Sequence, residues 1–179
     1  GNMSIVRTIL RAGANPNQSV ETKTPLSIAV TLGDATMVDI LLPGGADLAL
    51  CESLRADTFL AESVKLGNVE MIRRLSKAGA SKDALNSRGE LLLHVAIETG
   101  NEVIVRELIC AGADINKPGG KNGDTAIHVA TRKLSSNLVK VLLEAGSDYE
   151  AKNSGGCTPL LLAAASTSPS AISIATMLL

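Results

Sequence analysis

The sequence predicts an all-α repeat solenoid, a single elongated domain in which helix-turn-helix units are stacked side by side. One six-residue phrase recurs in steps of 34, 33, 34 and 33 residues, beginning at Thr24, Thr58, Leu91, Thr125 and Thr158. A second marker, Gly followed by Ala or Ser, keeps nearly the same period and begins at Gly13, Gly45, Gly79, Gly112 and Gly146. Two markers in register at a period near 33 residues indicate repeated supersecondary units.

Composition favours the same fold class. Of the 179 residues, 45% are hydrophobic, but only Phe59 and Tyr149 are aromatic. Small and branched aliphatic side chains suit thin layers of paired helices, in which each repeat contacts only its neighbours. The sequence therefore predicts a solenoid core rather than a central globular core.

The first helix of each unit is predicted to begin at the repeated phrase. Thr24 and Thr158 can accept a backbone N–H at a helix start, and the prolines that follow them lose no helical hydrogen bond. These short helices are expected to end at glycines that accept a left-handed backbone, namely Gly33, Gly67 and Gly100.

Each second helix is predicted from a cap residue followed by apolar residues at helical spacing. The expected caps are Asp34, Asn68 and Asn101. The apolar stripes are Val38, Leu41 and Leu42; Val69, Ile72 and Leu75; Val103, Ile104, Leu108 and Ile109; and Leu138, Val139, Leu142 and Leu143. Three departures are expected to disturb local geometry: Pro43 in a last helical turn, Leu134 where glycine is usual, and the extra residues 167–170 in the last inter-helix turn.

The repeated phrase identifies a family resemblance. Residues such as Thr24-Pro25-Leu26 and Thr125-Ala126-Ile127-His128-Val129-Ala130 resemble the Thr-Pro-Leu-His-x-Ala phrase of the ankyrin repeat. The resemblance covers essentially the whole chain. It implies that the polar segment between units forms a short projecting β-hairpin finger, and that His94 and His128 donate or accept hydrogen bonds that tie neighbouring hairpins.

The period divides the chain into one ankyrin repeat domain. Its predicted parts are a partial repeat 1–17, full repeats 18–51, 52–84, 85–117 and 118–151, and a C-terminal repeat 152–179 that is expected to be truncated. An array needs polar outer faces at its ends, and neither end of this sequence supplies one. We therefore expect an excerpt of a longer repeat protein.

Searches for catalytic and cofactor motifs favour no chemistry in these repeats. His94 and His128 are one period apart, which is not a metal-ligand spacing, and the glycine-rich residues 118–123 lack the Gly and Ser or Thr positions of a phosphate-binding loop. Cys51, Cys110 and Cys157 have no metal or redox spacing. The sequence predicts no enzyme activity, no cofactor and no metal, and reduced cysteines in the cytosol or nucleus.

The charge balance points to a protein partner. The net charge is −1, and there is no run of five like charges and no apolar stretch near eighteen residues, which disfavours nucleic acid and membrane partners. In the ankyrin family, partners bind the concave face of fingers and first helices. Matching those positions here gives the candidate residues Leu32, Leu54, Arg55, Lys65, Leu66, Arg88, Glu90, Glu98, Lys121, Asp124, Arg132 and Lys133.

One candidate modification site follows from the resemblance. Leu108 followed by Asp114-Ile115-Asn116 resembles the pattern in which ankyrin-repeat asparagines are hydroxylated, so that Asn116 is a candidate site.

Two functions remain open from the sequence. The first is a non-catalytic, monomeric scaffold or adaptor that binds a protein across the second to fourth units, with leucines supplying apolar contact and Arg55, Arg88, Arg132 and Lys133 orienting acidic groups. The second is a regulatory or targeting array of a larger enzyme, channel or secreted effector. The charged residues could also serve only to keep this face hydrated.

Overall fold

The computed structural model describes residues 3–21, 23–49 and 58–179, and these contain eleven α-helices. In chain order they are α1 (Met3–Arg11), α2 (Pro25–Thr31), α3 (Ala35–Leu41), α4 (Phe59–Leu66), α5 (Val69–Lys77), α6 (Leu92–Thr99), α7 (Glu102–Cys110), α8 (Ala126–Arg132), α9 (Ser136–Glu144), α10 (Pro159–Ala164) and α11 (Pro169–Leu178).

The helices pair into five units that stack in sequence order. The pairs are α2 with α3, α4 with α5, α6 with α7, α8 with α9 and α10 with α11, and α1 lies beside α3 as a second helix without its partner. Among the described helices, all substantial packing is within a unit or between adjacent units. The chain is therefore a solenoid, as predicted, and the core runs continuously from Leu26 to Leu178.

The first helices begin as the sequence predicts. The hydroxyl oxygens of Thr24, Thr58 and Thr158 accept the backbone N–H three residues later, and Pro25 and Pro159 occupy the first helical turn. α6 departs from this pattern, since it begins after Leu91, whose side chain offers no cap. At the start of α8, the Thr125 hydroxyl lies 2.8 Å from His128 Nδ1.

The turns between helices confirm the predicted helix ends and helix caps. Gly67 and Gly100 have left-handed backbones with φ of 72° and 73°, and the side chains of Asn68 and Asn101 cap the second helices. At the equivalent place in the fourth unit, Leu134 adopts φ of 55°, a region that side chains with a Cβ rarely enter.

The other two expected irregularities also appear. The helix that precedes Pro43 is α3, which ends at Leu41 after seven residues where α5, α7 and α9 have nine. Proline has no N–H to continue the helical ladder. Between α10 and α11 the turn takes four residues, 165–168, and Ser168 caps α11.

The fingers are tighter than extended hairpins. Single antiparallel bridges close three of them, Val20 with Lys23, Leu85 with Leu91 and Gly119 with Asp124. We name residues 85–91 the third finger, residues 119–124 the fourth finger and residues 153–157 the fifth finger. The fifth is closed by Asn153 N–H donating to Cys157 O at 3.1 Å. The predicted repeat boundaries stay a prediction, because a repeating array has no unique starting point.

Candidate partner-binding groove

A groove of about 510 Å³ lies between the third and fourth units, on the face formed by fingers and first helices. Its walls come from the third finger, α6, the fourth finger and α8. Five of the predicted partner-binding residues line it, namely Arg88, Glu90, Glu98, Lys121 and Asp124. We name this feature the 3–4 groove.

Glycines let the fourth finger lie close to its neighbours. A Cβ on Gly119 would lie 2.9 Å from both His94 Cε1 and Leu91 Cδ1, so a side chain there would push the finger away from α6. Gly123 has φ of +62°, and a Cβ on it would lie 2.5 Å from Ser154 Oγ. The glycine-rich loop that has no phosphate-binding pattern thus has a packing role.

Asp124 is the best-satisfied carboxylate of the 3–4 groove. It is 7% exposed and accepts hydrogen bonds from Arg132 Nε at 2.9 Å, Arg132 Nη2 at 3.2 Å and Asn153 Nδ2 at 2.8 Å. Burial by itself raises the pKa of Asp124, but the hydrogen bonds from Asn153 and Arg132 and the charge of Arg132 together hold it below its ordinary value. Asp124 is therefore a fixed anion that joins the fourth unit to the fifth finger.

The other two groove carboxylates also have partners. Glu98 Oε2 lies 3.1 Å from Lys133 Nζ, and Glu90 Oε2 accepts a hydrogen bond from Asn86 Nδ2 at 2.8 Å. Asn86 itself shapes the third finger, because its Oδ1 accepts the backbone N–H groups of Arg88 and Glu90. Two predicted cations, Arg132 and Lys133, are thus already engaged with carboxylates of the same chain.

Arg88 and Lys121 differ from these cations. Both are exposed, one on the third finger and one on the fourth, and within residues 3–21, 23–49 and 58–179 neither side chain has an ion pair or hydrogen bond. Both line the 3–4 groove. Two uncommitted positive charges therefore flank it from adjacent fingers.

The two histidines of the repeated phrase behave differently. His128 is fully buried; its Nδ1 lies 2.8 Å from Thr125 Oγ1 and its Nε2 lies 3.0 Å from the backbone oxygen of Cys157. This contact confirms the expected tie between neighbouring units. For His94 the same expectation is wrong, because its ring has no hydrogen bond to any described residue; Leu91, and not a threonine, precedes its helix. His94 lines the 3–4 groove with 8% exposure.

The surroundings of His94 favour its neutral form. Burial lowers the pKa of His94 below its ordinary value near 6.5, and the nearby charge of His128 lowers it further, while Asp124 and Glu98 oppose this shift. Sequence reasoning treated this side chain as structural and overlooked its place in the groove. The signal that could have revealed it is Leu91, which breaks the threonine pattern of the other four phrases.

Three other predicted residues, Lys65, Leu66 and Leu32, do not line the 3–4 groove. Lys65 is exposed near the end of α4, and Leu66 is 59% exposed beside it. Leu32 is 75% exposed and lines an apolar cavity of about 430 Å³ between α1 and α2. Leu54 and Arg55 lie outside the described residues. The 3–4 groove therefore contains only predicted residues of the third and fourth units.

Asn116 belongs to a series of contacts between successive loops. Its Oδ1 accepts the backbone N–H of Asp148 at 2.8 Å, just as Asn17 Oδ1 accepts that of Asp47 at 2.7 Å and Asp83 Oδ1 that of Asp114 at 2.9 Å. These three bonds link loops that follow successive second helices. Hydroxylation of Asn116 stays a prediction.

The opposite face, formed by second helices, carries charges that pair with each other. Arg74 Nε lies 2.8 Å from Asp39 Oδ1, and Arg73 Nε lies 2.9 Å from Glu107 Oε2. The hydrogen bond and charge of Arg73 hold the pKa of Glu107 below its ordinary value, against a smaller opposing effect of burial. Arg73 and Arg74 thus have intrachain partners in neighbouring units, whereas Lys77 of the same face has none among the described residues, like Arg88 and Lys121.

The described residues contain neither a candidate metal centre nor a helix that could span a membrane. The part of the chain with assigned coordinates has no group of three or more His, Cys, Asp or Glu side chains placed to hold a metal ion. Within the same residues, every helix is too short or too polar to cross a membrane. Cys110 and Cys157 are free thiols, whereas Cys51 lies outside the described residues.

Comparisons with known proteins agree with this architecture. The chain is 30% identical over 146 residues to the nuclear factor NF-kappa-B p105 subunit of Gallus gallus, covering 79% of this chain and 15% of that protein. It is 33% identical over 150 residues to the B-cell lymphoma 3 protein of Homo sapiens, covering 77% and 32%. With a transient receptor potential cation channel subfamily A member 1 homolog of Caenorhabditis elegans it shares 38% identity over 97 residues, covering 54% and 8%. The chain thus spans only about a third or less of the length of these relatives.

A solved structure extends the similarity to nearly the whole chain. The crystal structure of the ankyrin repeat domain of Bcl-3, described as a unique member of the IkappaB protein family, superposes with a TM-score of 0.79 at 28% identity. The match covers 97% of this chain and 76% of that one. A family model described as ankyrin repeats in three copies matches residues 33–119 and 93–179. Since that model matches well over half of the residues, the chain belongs to the ankyrin repeat family.

Proposed function

We propose that this chain is a non-catalytic protein-interaction module that binds a segment of a partner protein in the 3–4 groove. The observation that carries the proposal is a pair of exposed cations, one on each of two adjacent fingers, that line the same groove. Arg88 and Lys121 flank the groove without intrachain partners among the described residues, whereas cations such as Arg73 and Arg74 on the second helices pair with carboxylates. Uncommitted charge at a groove is available for a partner.

The chemistry of the groove supports binding rather than catalysis. Asp124 is held as an anion by Arg132 and Asn153, which occupy its oxygens with hydrogen bonds, and Glu98 is paired with Lys133. His94 has no adjacent hydroxyl, thiol or carboxylate hydrogen-bonded to it among the described residues. A groove with paired acids and no activated nucleophile suits recognition of another chain.

The relatives support a protein-binding role in a longer protein. Bcl-3 is described as a member of the IkappaB family, and the p105 protein is a subunit of a nuclear factor. By analogy, we place this chain inside the cell, in the cytosol or nucleus, as a monomer with reduced thiols. A scaffold or adaptor role, without cofactor, nucleic acid or membrane contact, is part of the proposal.

A second candidate is a regulatory or targeting array in a larger protein. The chain covers only 8% of a cation channel homolog and 15% of the p105 subunit, which shows that similar repeats occur as minor parts of much longer chains. Such an array can still bind through the 3–4 groove. The two candidates differ in what the binding event controls, which depends on residues beyond this sequence.

Selection from a random dodecapeptide display library tests the proposal. Peptides selected on the unmodified chain are measured against Thr99→Trp, which places a large side chain in the groove, and against Val103→Trp on α7 as a matched control. Both positions are on helix surfaces, so both variants are expected to fold. The proposal predicts loss of binding for Thr99→Trp only. Selected peptides that bind both variants equally would place the interface elsewhere.

A further inference from the structure

We infer that the 3–4 groove recognises an extended peptide segment carrying one carboxylate side chain, Asp or Glu, held between Arg88 and Lys121. The inference rests on the proposed function and adds the chemical class of the ligand. It departs from the sequence-based expectation that Arg132 and Lys133 orient acidic groups. The structure gives those two cations the intrachain partners Asp124 and Glu98.

Two free positive charges of the described residues, Arg88 and Lys121, are available to a ligand in the groove. A guanidinium and an ammonium on opposite walls of one groove can each donate hydrogen bonds to the two oxygens of a single carboxylate. Arg88 is positioned by Asn86, whose Oδ1 accepts the Arg88 backbone N–H at 2.9 Å. Lys121 projects from a finger whose base is closed by Gly119 N–H donating to Asp124 O at 2.9 Å. The backbone beneath both cations is thus fixed before a ligand arrives.

The carboxylates of the groove limit the negative charge that a ligand can carry. Three carboxylates, Glu90, Glu98 and Asp124, line the same groove as the two free cations. Asp124 and Glu98 are paired with Arg132 and Lys133, so that Glu90 is the one of these three acids without an ion pair among the described residues, and its charge offsets one of the two free cations. A phosphate dianion or a polyanionic nucleic acid would bring more negative charge than the single positive charge that is left over. A single negative charge matches the cations with less repulsion, so a carboxylate is favoured over a phosphorylated residue.

The size and the apolar walls of the 3–4 groove suit a short extended peptide segment. The groove has a volume of about 510 Å³, lies open between two fingers, and has the apolar side chains Val95 and Val129 in its walls. Volumes of this order suit a short ligand segment, and apolar walls can bury its flanking side chains. An extended chain running between the fingers would place one side chain near both cations while its neighbours contact the two valines.

Removing the two free charges and measuring the affinity of selected peptides tests the inference. Dodecapeptides that bind the unmodified chain and lose binding to Thr99→Trp are sequenced, and their affinity is measured for the double variant Arg88→Gln with Lys121→Gln. Lys140→Gln, at a well-exposed lysine on α9 with only a 3.9 Å contact to Glu144, is the matched control. The inference predicts enrichment in Asp or Glu and about tenfold weaker binding to the double variant, the size expected for losing charge-assisted hydrogen bonds.

The ligand side is tested with three versions of one selected peptide. Replacing its acidic residue by Gln should weaken binding about as much as the double variant does, and the two changes together should cost no more than either alone. Phosphoserine at the same position should bind more weakly than Glu. Stronger binding of the phosphoserine peptide would overturn the choice of carboxylate.

The outcomes separate this inference from the function on which it rests. Peptides that Thr99→Trp blocks but that lack acidic enrichment, or that ignore the Arg88 and Lys121 changes, refute the carboxylate and leave the groove as a binding site. Peptides that Thr99→Trp does not block contradict the proposed function itself. A library that yields no binder contradicts both. Equal weakening by Lys140→Gln would show a long-range charge effect and also refute the inference.

Discussion

His128 Nε2 lies 3.0 Å from the backbone oxygen of Cys157, so the ring of one repeated phrase is held by the residue that precedes the next phrase. The same ring has its Nδ1 within 2.8 Å of Thr125 Oγ1 at the start of its own helix. Because both nitrogens are engaged in a fully buried site, this histidine ties helix start, fourth unit and fifth finger together. His94, one period earlier, has no equivalent bonds among the described residues.

The two histidines should therefore differ in their contribution to stability. We expect His128→Leu to lower the free energy of unfolding by about 1–3 kcal/mol, because it leaves the buried Cys157 carbonyl and the Thr125 hydroxyl without their partner. His94→Leu should change it much less. Urea unfolding followed by circular dichroism measures both. Equal losses at the two positions would contradict this assignment of roles.

The left-handed turn position gives a second matched pair. Gly100 and Leu134 occupy equivalent turns with φ of 73° and 55°. Gly100→Leu should lower the free energy of unfolding by about 1 kcal/mol or more, because a Cβ is unfavourable there. Leu134→Gly relieves the same strain, so it should cost less than about 1 kcal/mol although it removes a half-buried leucine. A loss near the 2–5 kcal/mol typical of a core Leu truncation would show that Leu134 acts mainly through packing.

The neutral form of His94 predicts a pH dependence of stability. Its pKa is lowered in the folded chain, so the unfolded chain binds the proton more tightly. The free energy of unfolding should therefore fall as the pH drops through the ordinary value near 6.5 toward the lower folded value. His94→Gln should flatten this dependence below the ordinary value near 6.5. Identical pH profiles for the variant and the unmodified chain would refute it.

Asp124 should affect stability in a lower pH range than His94, because hydrogen bonds and the charge of Arg132 stabilise its charged form, whereas burial disfavours the charged form of His94. Its folded pKa is below the ordinary value near 3.8, so its contribution is present above that value and is lost as the pH falls through the folded value. Asp124→Asn should lower stability at neutral pH by about 1–3 kcal/mol, because Arg132 and Asn153 lose a charged acceptor. It should also reduce the acid-induced loss. Glu150→Gln, at an exposed loop residue, is the matched control.

The sequence carried most of the information about the fold. Helix starts at threonine, turns at Gly67 and Gly100, and caps at Asn68 and Asn101 follow from local backbone chemistry, which a repeated pattern makes easy to read. The strained turn at Leu134 was expected for the same reason. Each of these features depends only on residues within a few positions along the chain.

The groove was only partly accessible to sequence reasoning. Family positions placed Arg88, Glu98 and Lys121 on one face, but they gave no indication of which cations were already paired. That depends on contacts between units, such as Lys133 with Glu98 at a separation of 35 residues, and on side-chain directions that no period encodes. The close approach of Gly119 to His94 is likewise a contact between successive units, visible only in the folded chain.

More hydrogen bonds join the fifth finger to the fourth than join the fourth finger to α6, and this difference affects how the array should unfold. Asn153 Nδ2 to Asp124 and Ser154 N–H to the oxygen of Asn122, each at 2.8 Å, join the fifth finger to the fourth, in addition to the His128 link. The fourth finger contacts α6 through the backbone of Gly119, which lies against the ring of His94. This ring has no hydrogen bond to any described residue. On heating, the contact between the third and fourth units should therefore open before the contact between the fourth and fifth, and a peptide bound in the groove would hold the third and fourth units together.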